Sequence, residues 1–255
     1  MSRLRGGLGG AAGSAIVVAV WWLLAATVFH DGRAVPTPLA VLTGFGRDGW
    51  SFYWPHVKGT GWEALRGYFW GNGLALAMAV VVILIPPLER LITQLAVTSY
   101  CLPVIAVGPI LTVVFDGDTP MVALAALSVF FTTLIGALAG LRAADRTSLD
   151  LVRAYGGGRW QQLRRVRLAA ALPSTFAALK IAAPAAVLGA IIGEFLGRVP
   201  YGLGLAMVVS QQQLDVDRTW GVALVSGAIA GLGYALIGLI ARFAAPWAPR
   251  SEGGR

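Results

Sequence analysis

The sequence predicts an all-α polytopic membrane protein with six spanning helices. Of 255 residues only 13% are charged and 57% are apolar, about half the charge fraction of a soluble domain, so polar side chains are too few to cover a water-facing surface. Six stretches have the roughly 20 residues that a helix needs to cross a hydrocarbon core. The basic residues behind the net charge of +8 fall mostly on one side of those stretches, which removes nucleic acid as their partner. The single cysteine, Cys101, excludes an intrachain disulfide and a cysteine zinc cluster and leaves the redox compartment open.

The first span, 6–30, follows Arg3 and Arg5. Its apolar core is longer than that of a signal peptide and no clear A-x-A site follows, so it reads as an uncleaved helix. An outer loop, 31–58, then carries Pro36, Pro38 and Pro55 with Trp50, Phe52, Tyr53 and Trp54, rings that suit a headgroup anchor better than a ligand cage. The second span is 67–88. The third is 91–115, with kinks expected at Pro103 and Pro109, and the fourth is 119–141. The fifth, 168–193, is interrupted only by Lys180, and Pro184 kinks it. Segment 199–214 is uncharged but too short to span; with Pro200, Gly202, Gly204 and Gln211 to Gln213 it reads as interfacial or re-entrant. The sixth span is 219–241. These limits give tails 1–10 and 246–255 around a membrane domain 11–245, with outer loops 31–58 and 197–217 and an inner loop 142–167. With the N-terminus inside, 13 of the 20 basic residues are cytoplasmic and six lie outside, which places both termini in the cytoplasm.

The inner loop 142–167 holds seven Arg and two Asp, so it lies in water. Gly156, Gly157 and Gly158 mark a sharp turn or a close backbone approach. After them Trp160, Leu163 and Val166 recur at helical spacing as one apolar stripe flanked by Arg, and Pro173 marks entry to the next span. Lying on anionic headgroups explains the charge. Docking into a cytoplasmic partner, with Trp160 and Leu163 as anchors, explains the turn as well. Pattern alone leaves both open.

The run Asp150 to Gln161, with Gly156 six positions after the acidic Asp150 and Leu172-Pro173 before the next span, resembles the EAA loop of binding-protein-dependent ABC importer permeases. Val35-Pro36-Thr37-Pro38, Leu102-Pro103-Val104-Ile105-Ala106, Gly193-Glu194-Phe195-Leu196-Gly197 and Gly202-Leu203-Gly204 extend the resemblance over most of 35–245, toward the nitrate, sulfonate and taurine branch. Leu151 and Val152 depart from the motif's Ala pair and Ala169 from a first Pro; the bulk at 151 and 152 would alter packing before the turn.

The resemblance implies a type I importer permease fold in the inner membrane of a prokaryote. Its partners would be a second permease, read as an identical copy, two cytoplasmic ATPases and an external binding protein. ATP would bind the ATPases, this chain holding no cofactor or metal. Gly156, Gly157, Arg159, Trp160 and Leu163 would form the ATPase contact, with Asp150 and Arg153 bracing it. The solute implied is a small anion of the sulfonate, nitrate or taurine type, an uncharged or cationic vitamin precursor being the alternative.

Lys180, deep in a span, reads as lining the path or as snorkelling to the inner end. Glu194 lies 14 residues on, about 21 Å along a helix, too far to pair with it; it is expected at the outer gate or in a structural hydrogen bond. The pairs Gly136/Gly140, Gly189/Gly193 and Gly227/Gly231 suit close helix contacts. A membrane enzyme is disfavoured, since His30 and His56 both fall in the outer loop region and no G-x-S-x-G, H-E-x-x-H or P-loop occurs. A self-contained carrier or channel would transport without an ATPase.

Overall fold

The computed structural model describes residues 2–28, 35–197 and 199–246. Among them every regular element is helical. In chain order these are α1 (Ser2–Thr27), α2 (Pro38–Leu84), a 3₁₀ turn (Pro86–Leu88), α3 (Glu89–Cys101), α4 (Val104–Val114), α5 (Thr119–Arg142), α6 (Arg146–Ala154), α7 (Arg159–Gln162), a π turn (Leu163–Arg167), α8 (Leu168–Leu196), α9 (Leu203–Gln212) and α10 (Val216–Ala244).

Four helical runs are long and apolar enough to cross a membrane: α2, α5, α10 and the continuous run Arg159–Leu196. The third expected span is two helices bent 95° apart. The break falls where the residue before a proline is pushed out of helical geometry: Leu102 (ψ 124°) and Pro103 (ψ 113°) are both extended. Pro109, by contrast, sits inside α4 without interrupting it. The first expected span is helical from Ser2 to Thr27, with Ala12–Thr27 apolar; its predicted end, His30, lies outside the described residues.

The outer loop read over 31–58 is a correction: from Pro38 onward it is the start of α2. Thr37 caps that helix, its Oγ1 accepting from the Ala40 N–H at 3.2 Å, and Pro38 occupies the first turn, where its missing N–H costs nothing. Gly49 (φ 70°, ψ 167°) divides the helix, a conformation that side chains strain to adopt. The four-ring cluster splits across this region: Trp50 and Trp54 are exposed with ring centroids 5.7 Å apart, while Tyr53 is buried against Phe45 and Val222.

The core is the contact of α5 with α8, with α2 and α10 against its sides. Small residues set this spacing. A Cβ at Gly189 would stand 2.7 Å from the Cα of Ala125, and one at Gly193 2.8 Å from the Cα of Met121; Gly140 meets Ala171 in the same way and Gly136 faces Ala178. Two of the three glycine pairs are thus the α5–α8 seam. Gly227 and Gly231 meet nothing within 4 Å among the described residues. Thr133 of α5 donates to the Asn72 side chain of α2 inside this core, a polar tie between helices.

Candidate functional site

Residues 142–167 fold as an elbow at one end of the bundle. Asp145 caps α6, accepting from the Ser148 backbone N–H at 2.8 Å and hydroxyl at 2.9 Å, bonds that hold its carboxyl below the ordinary range. The chain turns at Gly156 (φ 78°), where a side chain would have open space but the wrong backbone region. At Gly157 the constraint is contact: a Cβ would lie 2.6 Å from the Val152 carbonyl and 2.7 Å from Gln161 Oε1. Val152 therefore packs on the turn. Leu151, the other bulky departure from the Ala pair, is exposed.

Two arginines fasten the elbow to the bundle. Arg159 Nη1 donates to the Leu84 carbonyl at 3.3 Å, and Arg167 Nη1 to the Leu141 carbonyl at 2.8 Å, each meeting a carbonyl in the last turn of a long helix. Asp150 and Arg153 pair with each other at 2.9 Å, both largely exposed. Leu163 requires a correction. It is 1% exposed, packed with Leu134, Leu138 and Ala171 in the chain's own core, so it anchors the elbow inward and offers no surface to a partner. Trp160 is 59% exposed. Tyr155 and Leu151, which sequence reasoning left out of the site, are exposed too, at 85% and 59%.

The second expected helix does not stand apart from its span. Arg159–Leu196 is one run with a π turn at 163–167, where the Leu168 N–H bonds the Leu163 carbonyl, and Pro173 lies inside the helix instead of at its start. A displacement of Trp160 is therefore continuous, through the helix, with the core at Leu163.

The opposite end holds a second constellation. Helix α9 begins at Leu203, and its first backbone N–H groups have no partner within the helix. Side chains from other helices meet them. His56 Nδ1 accepts from Gly202 N–H at 3.0 Å, Thr60 Oγ1 from Leu203 N–H at 2.8 Å, and Glu194 Oε2 from Gly204 N–H at 2.5 Å. Thr60 also donates to Glu194 Oε1 at 2.5 Å. Glu194 is 1% exposed, and a carboxylate suits the positive end of a helix dipole. Gly204 has no room for a side chain, its Cβ position being 2.6 Å from the Ile191 carbonyl. The Gly193-Glu194 and Gly202-x-Gly204 patterns thus serve one joint. Around it, Arg218 and Arg47 both bind Asp48, at 2.7 and 3.1 Å, and Arg47 reaches Asp215 at 2.9 Å, tying α2 to α10.

Lys180 lies between α8 and α10. Its Nζ sits 4.2 Å from the centre of the Tyr234 ring, and its Cε lies 3.2 Å from where a Cβ of Gly238 would be. Its charge is met by that ring, and Glu194 is far from it in a different set of contacts.

Apolar helices long enough to span, a basic elbow and a short helix pinned at the far end fit a polytopic membrane protein. Residues 71–250 match the model of the binding-protein-dependent transport system inner membrane component, and the chain belongs to that family. It is 30% identical over 237 residues to the riboflavin transport system permease protein RibX of Chloroflexus aurantiacus, covering 91% of this chain and 87% of that one. It is 26% identical to the formylaminopyrimidine transport permease protein ThiX of Halalkalibacterium halodurans, covering 91% and 93%. With the putative aliphatic sulfonates transport permease protein SsuC of Escherichia coli it shares 27% over 88% and 83%. The chain is thus an ABC importer permease, and its relatives are permease subunits whose named solutes differ widely.

Proposed function

We propose that this chain, paired with an identical copy in the inner membrane of a prokaryote, forms the path for a small organic solute delivered by an external binding protein. ATP acts on two separate cytoplasmic ATPases. Both termini and the elbow 142–167 face the cytoplasm and the α9 joint faces outward, the orientation that the distribution of basic residues favours.

The observation that carries the reading is the elbow's surface. Leu151, Tyr155 and Trp160, exposed apolar side chains to either side of the turn at Gly156 and Gly157, would act together as the docking anchors, on an elbow held at its base by Arg159, Arg167 and Leu163. A docking element must be rigid to pass motion on. Here it is continuous with a helix that crosses the membrane. Asp150 and Arg153 brace α6, and Lys180 and Glu194 take structural roles, Lys180 between α8 and α10 and Glu194 at α9. A sulfonate, nitrate or taurine-type solute rests on resemblance alone once Lys180 is assigned to Tyr234.

Gly156→Asp tests the coupling. The variant should insert and fold at normal yield while ATP-driven uptake falls to background and the ATPase is lost on purification. Uptake at the wild-type rate would sink the reading, and uptake that persists without any ATPase would favour a self-contained carrier.

A further inference from the structure

Beside the α9 joint, a cleft of about 780 Å³ opens between α2, the turn at Gly117 and Asp118, and residues 199–201. Glu63 lines it, a side chain only 4% exposed whose Oε2 has no hydrogen-bond partner. Glu63 stands within hydrogen-bonding reach of Glu194. Glu194, however, already accepts from Thr60 and Gly204. Glu63 lines the cleft with Glu194 behind it, outside the wall, and this buried pair holds more acid than Arg66, already bound to Asp118, can balance. Arg66 is bound to Asp118 and lies over the Trp62 ring at 5.6 Å, its Nε buried without a partner. Lys58 is at the exposed rim. The rings of Trp54, Trp62 and Tyr201 form the walls, and aromatic faces attract cations.

We propose that this cleft receives the positively charged amine of a small organic solute, Glu63 taking the ammonium and the three rings enclosing it. The inference rests on the permease reading and narrows its solute to amine-bearing molecules, setting bare oxyanions aside. The charge comes from the bound molecule, so an uncharged isostere of the same shape binds poorly. Lys58 at the rim disfavours a second positive group on that molecule.

The test uses the purified importer complex in nanodiscs at neutral pH, with benzylammonium as probe and benzyl alcohol as its uncharged counterpart, read by the melting temperature. Benzylammonium should raise the melting temperature saturably, benzyl alcohol should not, and Glu63→Gln should weaken the benzylammonium response at least tenfold. Trp62→Ala, at a site 57% exposed, should fold normally and weaken it several-fold, which keeps the test valid if Glu63→Gln fails to insert. Equal responses to the two probes overturn the proposal. So does a benzylammonium response unchanged in either variant, or none at all, the result for a carboxyl pair that only shares a proton. In those cases, loss of uptake in Gly156→Asp would still leave the importer reading intact, whereas a normal benzylammonium response in a complex without ATP-driven uptake would sink that reading alone.

Discussion

The two ends of the bundle solve opposite problems. At the α9 joint, His56, Thr60 and Glu194 are spent on backbone groups of the same chain, and Thr60 and Glu194 are buried. At the elbow, Leu151, Tyr155 and Trp160 are exposed, while Arg159, Arg167 and Leu163 are spent inward. At the first, the start of α9 is met within the chain. The other leaves apolar surface that water does not favour, the mark of a contact made with something else. A helix start pinned by side chains of two other helices resists motion, whereas an elbow fixed at its base and open at its tip delivers it.

Substitutions at the two ends should therefore fail in different ways. The largest effect is expected from Thr60→Val, which leaves the Leu203 N–H without an acceptor and Glu194 Oε1 without a donor in a buried site. Each such loss costs roughly 1–3 kcal/mol, so the melting temperature of the purified permease should fall and uptake with it. Leu163→Ala comes next: a core leucine removed should cost about 2–4 kcal/mol, again visible as a lowered melting temperature. A Leu163→Ala protein that melts normally yet loses its ATPase would place Leu163 at the partner's surface after all. Trp160→Ala should leave the stability within about 0.5 kcal/mol of wild type, as exposed positions do, while ATP-driven uptake falls at least tenfold. The smallest effect belongs to Asp150→Ala, which breaks an exposed pair worth about 0.5 kcal/mol. Chemical denaturation should barely register it.

Much of this contrast was legible in the sequence, and the gaps have physical causes. The uncharged stretches locate α5, α8 and α10, and the glycine run locates the turn, because length and backbone freedom are local properties. Segment 199–214 reads correctly as a non-spanning piece around α9. The region after Pro36 reads as a loop because its prolines and aromatics mask a helix start; Thr37 followed by Pro38 was the signal. The Trp160, Leu163 and Val166 stripe gives a face but not its direction, and only packing shows that Leu163 turns inward while Trp160 turns out. His56, Thr60 and Glu63 recur at i, i+4 and i+7, a polar face on α2 that periodicity could have exposed. That Glu194 meets Gly204 depends on a reversal of the chain, which no spacing shows.

The central claim is that the elbow's exposed face seats the ATPase. The most direct measurement is co-purification of the ATPase with a permease carrying Leu151→Ser, Tyr155→Ser and Trp160→Ser together. The account predicts permease of normal yield and melting temperature that retains at least tenfold less ATPase than wild type. Full retention of the ATPase by that folded triple variant would contradict it.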